Sequence, residues 1–182
     1  MKSKAINLLL VIIAASAWGC ALTTERYSIS ADNVESIRSL GGQKVRVGEF
    51  SSSPGVGVEK IQCAALTISP PDGVSFANYV RSAIVSELKI AGAYSETSPV
   101  SITGDVDALE LDASGFSLTG HWTISLKVNR GNKSITVSEK YSFRSQTLDS
   151  SACEGSARQF SNAVQNLVHK LVSNPEFAAM RK

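Results

Sequence analysis

Between residues 43 and 172 the apolar positions fall into two periods, and the switch from one to the other marks out the elements. QKVRVGEF sets Val45 and Val47 against charged neighbours, which predicts a strand over 43–50. From Val74 to Ala91 the period becomes helical, with Phe76, Tyr79, Val80, Ala83, Ile84, Leu88 and Ala91 on one stripe and Gly92 as a left-handed stop. Glu87 falls inside that stripe and reads as a carboxylate that reaches the rim or pairs with a base. Three strands follow. SITGDVDALEL places Ile102, Gly104, Val106 and Ala108 on one face. FSLTGHWTISLKVN alternates most cleanly, with Phe116, Leu118, Gly120, Trp122, Ile124, Leu126 and Val128 on one side. The other side is polar, as in an antiparallel sheet covered on one face only. After the turn NRGNKS, SITVSEKYSFR turns Ile135, Val137, Tyr141 and Phe143 inward, with Glu139 breaking the series. A last helix opens at Ser151 with Glu154 as its capping-box partner and carries a stripe of Ala157, Phe160, Val164, Leu167, Val168 and Leu171. Asn174-Pro175 ends it.

Two helices with one apolar stripe each and a sheet with one apolar face must cover each other. The expected fold is therefore an α+β two-layer sandwich, β-α-β-β-β-α, with a mainly antiparallel sheet and two helices on one face. Residues 43–178 form this single domain. Residues 20–42 read as a tether containing a short helix capped by Asp32, and residues 179–182 as a C-terminal tail. VEKIQCAALTI (58–68) reads either as a strand or as an extended connection.

The first twenty residues follow a different logic. Lys2 and Lys4 precede an apolar core, Leu8–Ala17, that is shorter than the ~20 residues a spanning helix needs, so it reads as an export signal. Ala17 and Gly19 are small, and Cys20 follows directly. That ending resembles a bacterial lipoprotein signal, although Ala17 stands where leucine is commonest and Trp18 is bulky. The resemblance implies cleavage between Gly19 and Cys20, a diacylglyceryl thioether on Cys20 and an acylated amine. Several acyl chains together anchor stably. Ala21 stands where an aspartate would retain an enterobacterial lipoprotein at the inner membrane, which implies the outer membrane and a periplasmic domain.

Removing the signal changes the electrostatics. Loss of Lys2 and Lys4 leaves 16 basic against 16 acidic residues, so no basic field argues for nucleic acid. Lipid consumes Cys20 and leaves Cys63 and Cys153. In an oxidising compartment these two are expected to pair, because an alternating up-and-down course places both near the same end of the sheet.

Catalytic chemistry is sparse. His121 sits on the polar strand face and His169 on the solvent flank of the last helix, in no metal-ligand or nucleophile pattern. No G-x-S-x-G, H-E-x-x-H or P-loop is present, so the chain reads as a non-enzyme with no cofactor and no metal. The polar sheet face, with His121, Lys127, Lys140 and Arg144, is the candidate partner surface, either as a face or as an edge that accepts a strand.

The signal cysteine, anchor segment and β-α-β-β-β-α order, with VRVGEF, ANYVRSAIVSELKIAGAY and NAVQNLVHKLVSNPEF in place, resemble the small periplasmic lipoproteins of the lipopolysaccharide-assembly, YajG-type and ABC-transport auxiliary groups. The likeness spans about residues 20–178. It implies a non-enzymatic accessory or assembly subunit of an envelope complex, with an envelope protein as partner. A lipid- or small-ligand-binding module, with the ligand between helices and sheet, is the alternative from another class. Activator lipoproteins of peptidoglycan synthases use a related sandwich and form a third.

Overall fold

The computed structural model describes residues 21–113, 119–145 and 150–182. Its centre is a four-stranded sheet, ordered β2(Arg46–Ser52), β5(Ser101–Asp112), β6(Thr119–Arg130), β7(Lys133–Arg144). β2 pairs parallel with β5, and the other pairs are antiparallel. Helices α2(Phe76–Ile90) and α3(Ser150–Val172) lie on its inner face, α2 mainly over β2 and α3 mainly over β7 and β6. The expected two-layer α+β sandwich is the fold observed.

The core forms where the two periods meet. Ile102, Val106, Trp122, Ile124, Leu126 and Val128 are buried from the sheet, and Phe76, Ile84, Leu88, Phe160, Val164, Leu167 and Leu171 from the helices. Phe160 is the hub. Its ring centroid lies 5.1 Å from Phe76, 5.2 Å from Tyr79 and 4.9 Å from Trp122. The buried indole N–H of Trp122 donates to the carbonyl of Ser156 at 2.9 Å, so the largest core side chain leaves no donor unpaired. Two inner-face glycines are also filled by cross-strand rings. A Cβ on Gly104 would stand 2.6 Å from the Phe50 ring, and one on Gly120 would stand 2.6 Å from Phe143. Each glycine lies opposite its aromatic in register, so the ring supplies the apolar cover the glycine lacks.

Several expectations need correction. Ala108 is not on the inner face. A bulge between Val106 and Ala108 inserts one residue, which turns Ala108 outward and brings Leu109 and Leu111 to the core side. Glu139 does interrupt the inward apolar series of β7, as expected: it is buried, and its Oε2 lies 2.8 Å from Nζ of Lys170 on α3. Residues 58–68 add no strand to the main sheet. β3(Ile61–Cys63) and β4(Leu66–Ser69) make a hairpin, and β1(Ala21–Thr23) joins it parallel to β4, giving a second sheet ordered β1-β4-β3.

The segment read as a tether is folded onto the domain. Its helix, α1(Ala31–Leu40), is capped by Ser30, whose hydroxyl accepts from the N–H of Asn33, two residues before the expected Asp32 cap. Val34 and Ile37 are buried, and α1 packs on both α2 and α3. Asn174-Pro175 does end α3, but the same pair caps a further helix, α4(Pro175–Met180). The tail is therefore also packed: Met180 and Arg181 are buried, and the Arg181 guanidinium donates to the carbonyls of Ile37 and Gln43 at 3.3 Å. Ser151, Cys153 and the rest of the last helix begin within one residue of the expected start.

Candidate docking surface

Because β6 and β7 alternate strictly, every second side chain points away from the helices. The register then fixes the surface: Thr119↔Arg144, His121↔Ser142, Thr123↔Lys140, Ser125↔Ser138 and Lys127↔Thr136. His121 is half-buried, and Lys127, Lys140 and Arg144 are exposed. All four residues expected on the partner surface thus share one outer face. Hydrogen bonds knit it: Nδ1 of His121 is 2.9 Å from Oγ of Ser142, and the Ser138 hydroxyl donates to Ser125 at 3.0 Å.

The charge on this sheet is divided across its width, which the sequence reading missed. The outward carboxylates sit on β5, where Asp105 accepts from Ser51 at 2.5 Å and from Asn129 at 2.9 Å, Asp107 accepts from Ser53 at 2.7 Å, and Glu110 is exposed. The outward cations Lys127, Lys140 and Arg144 sit on β6 and β7. Alternation along β5, β6 and β7 carries the signal for it, except at Glu110, whose outward aim depends on the bulge.

The two sheet edges differ. On the β2 edge the Arg81 guanidinium donates to the carbonyls of Val47 and Gly48 at 2.9 and 2.5 Å, which occupies the groups another strand would use. The β7 edge is more open. The two-residue turn Gly131-Asn132 makes Arg130 and Lys133 a hydrogen-bonded pair, so the backbone groups of Ser134, Thr136, Ser138, Lys140, Ser142 and Arg144 point outward. Of these, Ser138 gives its carbonyl to Lys170 Nζ at 2.8 Å. No described strand pairs with the outer edge of β7.

Two further polar groups were singled out in the sequence. His169 is exposed, as expected of the solvent flank, yet its Nδ1 lies 3.1 Å from Oδ1 of buried Asn33. Glu87 does not reach the rim and, among the described residues, pairs with no base. It is fully buried, with Oε1 accepting from the Tyr27 hydroxyl at 2.5 Å, the Ser30 N–H at 2.9 Å and Asn33 Nδ2 at 3.4 Å. Among the described residues its Oε2 has no hydrogen-bond partner. The sequence hid this because the donors come from the segment read as a tether. Burial, followed by the bond to Glu87, pushes the Tyr27 hydroxyl pKa well above the ordinary phenol value.

Cys63 and Cys153 form a disulfide with Cα atoms 5.8 Å apart. It links the β3–β4 hairpin to the first turn of α3. Gly19 and Cys20, the expected cleavage and lipid-attachment positions, lie outside the described residues. Among the described residues no group of three or more His, Cys, Asp or Glu side chains could hold a metal ion. No described helix is long and apolar enough to cross a membrane.

In fold, the chain is similar to the crystal structure of protein XCC0632 from Xanthomonas campestris, described under the family model DUF330. The identity is 14%, the TM-score 0.54, and the match covers 88% of this chain and 94% of that one. A crystal structure of an uncharacterized protein aligns more loosely, at 8% identity and a TM-score of 0.46 over 82% and 98% of the two chains. At these identities the likeness is one of fold alone. No family model matches the sequence, and no curated protein matches it.

Proposed function

We propose that the chain is an outer-membrane-anchored periplasmic lipoprotein that serves as a non-enzymatic accessory or assembly subunit of an envelope complex. In this reading Cys20 carries the lipid and the outer face and edge of β6 and β7 hold an envelope protein. The observation that carries the docking half is the concentration of Lys127, Lys140 and Arg144 on one exposed, hydroxyl-rich face beside the open β7 edge. The anchoring half rests on the short apolar run and the small-residue ending before Cys20.

The lipid- or ligand-binding alternative needs space between helices and sheet. Phe160, Trp122, Phe76 and Tyr79 fill that layer, which favours docking. A partner matched to this surface carries acidic side chains and a segment able to extend as a strand. The steering such charges give is screened by salt.

The test of the anchor is mass spectrometry of the mature N-terminus. The reading expects a chain beginning at Cys20 with acyl mass on both thiol and amine. An unmodified Cys20, or a chain still carrying Lys2 and Lys4, overturns it.

A further inference from the structure

We infer that the turn of the β3–β4 hairpin, Ala64-Ala65, is a second membrane contact that holds the domain in a fixed orientation on a lipid surface; the inference rests on the proposed lipid anchor. Three independent features of the hairpin meet here.

The first is position. β1 runs parallel to β4, with Ala21 opposite Thr67. Residue 20 is one peptide unit from Ala21, and consecutive Cα atoms are about 3.8 Å apart. Ala21, the residue to which a lipidated Cys20 is bonded, therefore lies beside the turn that precedes Thr67.

The second is rigidity. The chain behind Ala21 has no free tether. Thr24 N–H donates to Ser69 O at 2.9 Å, Tyr79 donates to Glu25 O at 2.8 Å, and Arg26 makes two bonds to Asp72. Gln165 then donates to Ser28 O at 2.5 Å, and Ser30 N–H to Glu87. On the other side of the turn the Cys63–Cys153 bridge ties the hairpin to α3. Ala21 and the turn are therefore held in one body.

The third is chemistry. No charged residue stands between Lys60 and Asp72. Ala64 and Ala65 are exposed, so the turn presents small apolar groups. Ala64 holds φ at 51°, a left-handed conformation that glycine or asparagine adopts more readily, and it makes the turn tight. A charged tip would resist the acyl boundary, and this one carries no charge; its Ala64 carbonyl is taken up by Gln62 Nε2 at 2.6 Å. The acyl chains supply the affinity; the turn supplies the orientation.

The opposite pole is defined as well. α3 starts soon after β7 ends at Arg144, and Arg144 pairs with Thr119 at the start of β6. The Gly131-Asn132 turn is at the far end of those strands, about 37 Å away at ~3.4 Å per residue. It carries Arg130 and Lys133 and faces the aqueous side.

The experiment uses the full mature chain purified from membranes and placed in phosphatidylethanolamine–phosphatidylglycerol vesicles, with or without brominated acyl chains. With Cys20 alkylated and Cys63 and Cys153 bridged, Ala65→Cys, Gln62→Cys and Asn132→Cys each offer one thiol for a bimane label. After flotation with the vesicles, the label at 65 is expected to lose most of its fluorescence to brominated lipid. The label at 62 loses less, and the label at 132 none. Gln62 reports on the same end if Ala65→Cys does not fold. Flotation with positions 62, 65 and 132 alike, quenched or not, overturns the orientation and leaves the anchor standing. Failure to float overturns the anchor, and the inference with it.

Discussion

The hydroxyl of Tyr27 donates to Oε1 of Glu87 at 2.5 Å, which joins the N-terminal strap to a carboxylate that has no exposure to solvent. The Ser30 N–H adds a second donor. A buried carboxylate is costly when its donors are removed. We expect Tyr27→Phe to destabilise the domain by about 1–3 kcal/mol, read as a lower urea midpoint, and to speed amide exchange at residues 28–33. Unchanged exchange there would show that the strap is held by its other contacts alone.

The Cys63–Cys153 bridge closes a loop with a sequence separation of 90. Reduction or Cys153→Ser should cost roughly 4–5 kcal/mol in the chain-entropy account, less any strain relieved. Thiol labelling of the denatured, unreduced mature protein should find no free cysteine. Two reactive thiols would refute the bridge.

Gly104 and Gly120 are expected to resist even a methyl group. Gly120→Ala must displace the Phe143 ring, and Gly104→Ala the Phe50 ring, each from a Cβ approach of 2.6 Å. Overpacking of this kind costs about 1–3 kcal/mol. The control is Gly155→Ala on α3, where nothing lies within 4 Å and helix propensity favours alanine. Equal thermal midpoints for all three variants would contradict the packing described.

These effects differ in how far the sequence announced them. The stripes of α2 and α3 and the alternation of β6 are local, so a chain read in order displays them: Trp122, Ile124, Leu126 and Val128 are inward as their spacing requires. That same spacing put Lys127 and Lys140 on one outer face. What periodicity could not convey was pairing over long separations. Tyr27 and Glu87 are 60 residues apart, and three-residue β1 offers too few positions for any pattern to emerge before β4 is beside it. The bulge at Asp107 is a local slip that the flanking alternation conceals, since Ala108 and Leu109 both suit an inner face.

Alkaline pH should weaken the fold through two phenols, buried Tyr79 and half-buried Tyr27. Burial is the main cause that raises Tyr79, to about 12, and Tyr27 is raised further still. Both are neutral in the fold, while the unfolded chain ionises them near pH 10. Their contribution is complete below that pH and is lost as pH rises toward the folded values. The slope is about 1.4 kcal/mol per pH unit for each tyrosine. Tyr79→Phe should flatten the decline of the urea midpoint between about pH 10 and 12. Parallel declines in wild type and variant would exclude the assignment.

Site-specific photocrosslinking in intact cells tests the docking claim most directly. A photoreactive residue at Lys127, Lys140 or Arg144 should capture the same envelope protein, and one at exposed Glu35 on α1 should not. Charge reversal by Lys127→Glu with Lys140→Glu should abolish capture from position 144 while changing stability by less than about 0.5 kcal/mol per site. Capture from Glu35 equal to that from the sheet face, or capture unaffected by the reversal, would contradict a partner held by β6 and β7.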